Sequence, residues 1–433
     1  MKIVNIVPGF GGSFYCGNCL RDGVFVKTLR SQGHDSVLLP IYLPLSYDKN
    51  DNSPEIPVFY GAVNIYLKQN FRFLRNMPSW LEGFFNSKPI LKFAAGKAGS
   101  TRATGLEEMT ISMLKGNEGF QAEELKQLID YLKYHEKPDI IHLSNSLLLG
   151  LVKKIREELN VPVICSLQDE DVWIDGMHVD YRDVLWDLMA EKGLDVSAFV
   201  SVSNYFGEVM KNKLHIPDNK LHIVPIGVNP DQYKVVRPSL EPPVIGYLSR
   251  MCEDNGLEIL IDAFIELKDN SAFKNSKLRL NGGMTADDKH FINKQIKKLK
   301  RKSYYKDVEV QDDFTSRNLS EFFRGLSVLS VPVLKGEAFG IYQIESMASG
   351  IPVVQPALGA FPEIIGTTGG GITYHPNSPS ALASALNGLF SNPEQLQKMS
   401  TDGRNSIAIN YNSGILTEQM IEVYNNVLQN FKF

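Results

Sequence analysis

Glu337 and Glu345 stand eight residues apart in Glu337-Ala-Phe-Gly-Ile-Tyr-Gln-Ile-Glu345, a spacing that can bring two carboxylates to one ligand. The apolar run 326–334 ahead of them has strand character, 335–340 reads as a loop, and 341–348 reads as a helix closed by Gly350. A strand-loop-helix unit aims unpaired backbone N–H groups at the mouth of a sheet, where they can bind an anion such as a diphosphate. Phe339, Gly340 and Ile341 would supply those groups. Glu345, one helical turn in, would reach a ribose hydroxyl pair. Two solvated glutamates around a buried helix would share the spacing, so the neighbouring residues have to decide.

Those neighbours continue as Ser346-Met-Ala-Ser-Gly-Ile-Pro-Val-Val354 and Gly359-Ala-Phe-Pro-Glu363. The whole segment 337–365 resembles the nucleotide-sugar signature of retaining glycosyltransferases, specifically glycosyltransferase family 4. The resemblance implies an α/β chain of GT-B fold, two Rossmann-like domains whose parallel sheets face across a cleft. It implies a nucleoside diphosphate sugar as donor and a glycan, a lipid-linked group or a small molecule as acceptor. No cofactor and no metal are expected, since the family needs no Asp-x-Asp clamp and none stands in a suitable place. In such enzymes the acceptor hydroxyl attacks the face from which the diphosphate departs, and its proton passes to a diphosphate oxygen. The protein then supplies positioning and charge stabilisation.

Arg250 follows a predicted strand in Gly246-Tyr-Leu-Ser-Arg-Met-Cys-Glu-Asp-Asn-Gly256, where a guanidinium could clamp a diphosphate or simply face solvent. The family carries a Lys where this chain has Asn255, so one ammonium is missing from the expected donor site. Gln168, after the strand-like Val163-Ile-Cys-Ser-Leu167, replaces a His that many members place near the transferred sugar. Its amide can bond a hydroxyl but cannot titrate near neutral pH. Asp169, Glu170 and Asp171 follow, either as a solvated acidic turn or, through Asp169 and Asp171, as recognition of acceptor hydroxyls. His142, inside a strand-like run, reads as a packed histidine rather than a catalyst.

The loop Pro8-Gly-Phe-Gly-Gly-Ser13 lets the backbone approach a ligand closely, or forms a tight turn without one. Its spacing departs from the dinucleotide fingerprint, and Pro40 stands where an acidic residue would end the second strand. The resemblance makes Gly11 and Gly12 part of the family's N-terminal glycine turn over the donor. Gly12-Ser-Phe-Tyr-Cys-Gly-Asn-Cys-Leu-Arg-Asp22 further resembles a bacterial subgroup with a Tyr-Cys-Gly-x-Cys-Leu-Arg-Asp segment. Cys16 and Cys19 read as reduced, packed thiols, with redox chemistry as the alternative. Neither Cys165 nor Cys252 offers a second Cys-x-x-Cys, which leaves zinc without ligands.

A chain of 433 residues exceeds what one core usually organises, so two domains are expected. Its 43% apolar and 22% charged residues are ordinary for a globular protein, and a net charge of −4 speaks against nucleic-acid binding. The basic run Lys294-Gln-Ile-Lys-Lys-Leu-Lys-Arg-Lys302 reads as the wet face of a helix or as a patch for anionic lipid headgroups. No stretch of eighteen apolar residues occurs, the opening is too short for a signal peptide, and four cysteines suit a reducing compartment. A cytoplasmic protein is expected, with peripheral contact at the inner membrane face if the basic run meets lipid.

Alternating strand-like and helix-like segments predict the domains. Residues 1–228 form an acceptor-side Rossmann-like domain, 229–414 a nucleotide-sugar-binding one, and a terminal helix at 415–433 packs back on the first. The linker is expected near 226–240, and 48–121 reads as an inserted region of helices and loops with Phe71, Phe73, Trp80, Phe84, Phe85 and Phe93. Asn255 and Gln168 keep a second class open, a GT-B-shaped nucleotide-sugar-binding pseudoenzyme or regulatory protein. A GT-B epimerase or phosphorylase is a third.

Overall fold

The computed structural model describes residues 1–9, 15, 17–42, 59, 103–270, 272–311 and 316–431. Most of the predicted insertion, including Phe71, Phe73, Trp80, Phe84, Phe85 and Phe93, lies outside the described residues, as do Gly11, Gly12, Cys16 and the side chain of Cys19. Within its described part, Glu107–Leu114 is a helix, and a further helix, Ala122–Tyr131, follows directly after the insertion.

The chain divides into two compact units: Met1–Gly12, Asn18–Val224 and Thr417–Phe433 form the first, and Ser13–Gly17 with Pro225–Leu416 the second. In the first unit the strands are β1 (Lys2–Val7), β2 (Asp35–Pro40), β3 (Ile140–Leu143), β4 (Val163–Leu167), β5 (Ala198–Ser201) and β6 (Leu221–Ile223). They pair in parallel in the order β2-β1-β3-β4-β5-β6. Every residue of β3, β4 and β5 is buried, as expected of parallel strands covered on both faces.

In the second unit the strands are β7 (Val244–Leu248), β8 (Lys277–Asn281), β9 (Val308–Gln311), β10 (Val328–Leu329), β11 (Val353–Pro356) and β12 (Gly371–Tyr374). Their order is β12-β11-β10-β7-β8-β9, again parallel. Counted from β7, this is the 3-2-1-4-5-6 arrangement of a Rossmann sheet. Order reverses between β7 and β10 in this sheet and between β1 and β3 in the other. At such switch points the outgoing loops diverge to opposite faces and leave a crevice at the strands' C-terminal ends.

The apolar run 326–334 is buried over most of its length, yet only Val328 and Leu329 join the ladder. Pro332 lacks an N–H, and the Val331 N–H donates instead to the Gln355 side chain at 2.9 Å. The basic run lies on helix Lys289–Arg301, and acids facing it neutralise much of its charge. Lys298 meets Glu258 at 2.9 Å and Asp262 at 2.8 Å, and Lys302 meets Asp269 at 2.8 Å. No described helix is long and apolar enough to cross a membrane.

Candidate active site

The switch point of the second sheet gathers two loops. One leaves β7 and carries Ser249 to Gly256; the other leaves β10 and carries residues 330–340. They touch through the Leu334 N–H, which donates to the Asp254 carbonyl at 3.0 Å. Gly256, at φ +70°, lies so close that an added Cβ would stand 1.8 Å from the Pro332 carbonyl oxygen. Arg250, Asn255 and Glu337 are therefore brought to one end of the sheet, although 82 residues separate Asn255 from Glu337.

Glu337 is half-buried and accepts a hydrogen bond from the Tyr342 hydroxyl. Its backbone carbonyl accepts from the Ala360 N–H at 3.0 Å, which fastens this loop to the turn after β11. Gly340 caps helix Ile341–Ala348 at φ +77°, a left-handed conformation that glycine adopts without strain. A Cβ there would lie 3.1 Å from Phe361 and Tyr342 and 3.2 Å from Glu337 Oε2, so the cap needs the space as well as the torsion. All eight residues of the helix are buried, and its first turn carries the backbone groups of Ile341 and its neighbours at the loop.

Glu345 sits inside that helix, 4% exposed, and both its oxygens are engaged. Oε2 accepts from the Tyr15 hydroxyl and Oε1 from the Tyr233 hydroxyl, the latter at 2.9 Å. Burial pushes the carboxyl up to about 7, and the two hydrogen bonds oppose that rise. Burial and the neighbouring carboxyl hold both phenols well above the ordinary tyrosine range, so the phenols donate. Tyr15 is further fixed by its own N–H, which donates to the Gly282 carbonyl beyond β8 at 2.8 Å. Both tyrosines escaped the sequence reading. Tyr15 belongs to the Tyr-Cys-Gly-x-Cys-Leu-Arg-Asp segment, but nothing in that segment points to a partner 330 residues away; Tyr233 falls in the expected linker 226–240 with no periodic signal.

Arg250 makes a two-point contact with Asp288, from Nε and from Nη2, each at 2.9 Å, and Nη2 also approaches Thr285 Oγ1 at 3.3 Å. The guanidinium is thus oriented by a carboxylate that the sequence did not single out. Asn255 turns back onto its own loop, its Nδ2 donating to Ser249 Oγ at 2.9 Å and to the Arg250 carbonyl at 3.1 Å. The amide that stands where the family has Lys shapes the turn behind Arg250.

Gln168 lies in the first unit, 6% exposed, at the end of β4. Its Nε2 donates to the Ser144 carbonyl at 2.5 Å, which leaves Oε1 buried without a donor. Glu170, 1% exposed, accepts from the backbone N–H groups of Ser146 at 2.8 Å and Gln168 at 2.6 Å. Burial lifts its carboxyl to about 7 despite those bonds. Asp169 adopts φ +57°, and Asp171, lifted to about 6 by burial and by Asp169, sits at the edge of the group. His142 is a packed residue, bonded through Nδ1 to the Tyr424 hydroxyl at 2.6 Å and through Nε2 to Ser166 Oγ at 2.8 Å. Burial drives its imidazole down to about 3, so it stays neutral. Among the described residues no group of three or more His, Cys, Asp or Glu could hold a metal ion.

Comparison with known proteins agrees with this geometry. Residues 229–406 match the family described as glycosyl transferases group 1, and residues 110–232 match glycosyltransferase family 4. An uncharacterised glycosyltransferase of Methanocaldococcus jannaschii is 20% identical over 70% of this chain and 79% of its own length. Sucrose-phosphate synthase from Thermosynechococcus elongatus superposes with a TM-score of 0.72 at 14% identity, covering 99% of this chain and 100% of its own. The Anabaena protein HepE, solved in complex with UDP-glucose, superposes with a TM-score of 0.67 at 13% identity over 98% of this chain and 100% of its own. With both six-stranded parallel sheets in place, the chain is a glycosyltransferase of GT-B fold, similar over 229–406 to glycosyl transferases group 1 and over 110–232 to glycosyltransferase family 4.

Proposed function

We propose that this glycosyltransferase moves a hexose from a nucleoside diphosphate sugar to a hydroxyl acceptor with retention of configuration. The observation that carries the reading is the meeting of the Arg250 loop and the Glu337 loop at the switch point of the second sheet, through Leu334 and Asp254. A diphosphate there would face the Arg250 guanidinium and the helix start at Phe339, Gly340 and Ile341. Glu337, held by Tyr342, would take sugar hydroxyls. Glu345 would take the ribose, whose hydroxyl pair would replace the Tyr15 hydroxyl on Oε2 while Tyr233 keeps Oε1. In the step itself the bond from the anomeric carbon to the diphosphate oxygen breaks on the face where the acceptor oxygen bonds. The acceptor proton goes to the departing diphosphate, and Gln168 orients the sugar.

Neither metal nor cofactor belongs to this reading. The resemblance of the N-terminal segment to the bacterial Tyr-Cys-Gly-x-Cys-Leu-Arg-Asp subgroup is part of it, and so is a cytoplasmic setting, with Cys165 and Cys252 as free buried thiols. The ion pairs on helix Lys289–Arg301 favour its wet-face reading over a lipid patch. UDP-glucose, the ligand of the Anabaena neighbour, is the first donor to test, followed by GDP and ADP sugars. Transfer with release of nucleoside diphosphate, and a product anomer matching the donor by NMR, is the expected result. Release of sugar phosphate, an inverted product, or tight nucleotide binding without turnover on any donor would overturn it.

A further inference from the structure

The loops that leave β7 and β8 run side by side past the ends of their strands, since the Ser249 N–H donates to the Asn281 carbonyl at 3.2 Å and the Met251 N–H to the Gly283 carbonyl at 2.9 Å. Gly282, at φ +126°, lets them approach: a Cβ there would stand 2.1 Å from the Ser249 carbonyl oxygen. Arg250 is fixed at both ends within this pair of loops. Its carbonyl accepts from the Tyr247 hydroxyl at 2.9 Å and from Asn255 Nδ2 at 3.1 Å, and Tyr247 is fully buried. Its guanidinium gives the side-on edge, Nε and Nη2, to the two oxygens of Asp288.

Asp288 is 7% exposed and closes its own turn, Oδ2 accepting from the Thr285 N–H and the Thr285 hydroxyl, each at 2.7 Å. Closing that turn needs Oδ2 alone, so Oδ1 serves the guanidinium. Burial would raise the carboxyl, yet the bonds from Arg250 and Thr285 hold it below the usual carboxylate range. Arg250 is also the one cation of residues 249–256, because Asn255 stands where the family has Lys. A site with one cation attracts a diphosphate less strongly than a site with two. Ordering that cation in advance offsets the loss, since a long side chain otherwise gives up rotamer freedom on binding. With the side-on edge held, bidentate contact with phosphate oxygens falls to the edge between Nη1 and Nη2.

We propose that Asp288 is a positioning residue for Arg250, and that one guanidinium locked in place by Asp288 replaces the two-cation diphosphate grip expected of the family. This role rests on the donor reading, in which Arg250 faces the diphosphate. Simple Coulombic attraction gives the opposite sign: deleting an anion beside the site would strengthen diphosphate binding, whereas losing a positioning carboxylate weakens it.

The test titrates the full chain by calorimetry with UDP, GDP and ADP, then compares the tightest of the three with its own nucleoside. Asp288→Asn is expected to weaken the nucleoside diphosphate by about tenfold or more, the worth of one charged hydrogen bond, and the nucleoside by less than about threefold. Asp288→Glu keeps the charge but moves it by one methylene; it should show a smaller loss with the same selectivity, and it decides the question if the Asn variant does not fold. In an Arg250→Ala background the Asp288→Asn change should move diphosphate affinity by less than about threefold, since there is no guanidinium left to position. Thr285→Val removes a hydroxyl from the same carboxylate and leaves the guanidinium pair, so its unfolding midpoint should fall while diphosphate affinity changes by less than about threefold. Unchanged or tighter diphosphate binding in Asp288→Asn, or in Asp288→Glu where it stands alone, would overturn the role of Asp288. So would an equal loss for the nucleoside, a loss as large in Thr285→Val, or a loss that persists without Arg250. Failure of all three diphosphates to bind the parent chain would instead overturn the donor reading, and the role with it.

Discussion

Enclosure by Tyr15 and Tyr233 gives Glu345 a titration near neutrality, about 7 against an ordinary 4.5. The folded chain thus holds this proton more tightly than the unfolded chain does. Below about pH 4.5 both are protonated and no penalty arises. As pH rises to 7 the unfolded carboxyl ionises first, so stability is lost across that window and levels off above it. A shift of this size is worth about 3 kcal/mol, at 1.36 kcal/mol for each unit. Glu345→Gln removes the titration while keeping contacts to both phenols, so its stability relative to the parent should climb by about that amount between pH 4.5 and 7. Parallel denaturant midpoints for the two proteins across this range would refute the assignment. Tyr15→Phe tests the ribose role from the other side, because it deletes the group that competes for Oε2. Stability should drop by about 1–3 kcal/mol while UDP binds roughly threefold to tenfold more tightly, the worth of one hydrogen bond. Weaker UDP binding would mean that Tyr15 supports the site rather than occupying it.

At the scale of elements, glycines separate two costs that sequence alone merges. Gly256 and Gly325 both adopt left-handed torsions, φ +70° and +81°. A Cβ on Gly325 meets nothing within 4 Å, but on Gly256 it meets the Pro332 carbonyl. Gly325→Ala should therefore cost only the torsional strain, about 1–2 kcal/mol, whereas Gly256→Ala adds a backbone clash and should exceed 4 kcal/mol. Chemical denaturation of the two variants checks the difference, and equal losses would mean the β7 loop moves freely from Pro332. The same loop shows where sequence runs out. Helix 341–348 was legible because Gly340 and Gly350 bracket a buried apolar run, and the structure returns Ile341–Ala348. The strand before it was over-read: burial and strand pairing leave the same apolar signature, and only the Gln355 side chain and Pro332 reveal that 331–334 leaves the ladder. Glu337 and Arg250 were legible as chemistry on loops. Asp288, Tyr15 and Tyr233 were not, since long-range partners of a buried charge carry no spacing.

Across the whole molecule the chain closes on itself. Residues from Thr417 onward group with the first unit although 192 residues of the second precede them without a break. Helix Ser413–Asn430 makes that return and delivers Tyr424, fully buried, to His142 in the middle of β3. The hydroxyl gives Nδ1 a partner, the ring meets the imidazole edge-on at 5.7 Å, and Met420 and Val423 are buried on the same helix. Tyr424→Phe leaves one buried imidazole nitrogen without a partner and should cost about 1–3 kcal/mol. Ending the chain after Asn412 removes the whole contact set and uncovers one face of β3, a heavier loss felt by the first unit. Hydrogen exchange can localise it. Amides of β3, Ile140–Leu143, should lose most of their protection in the shortened chain, while those of β11, Val353–Val354 and Gln355, keep theirs because their ladder lies within the second unit. Undiminished protection of β3 would show that the first sheet holds its core without the returning helix, and equal loss at β11 would show that the two units fold as one.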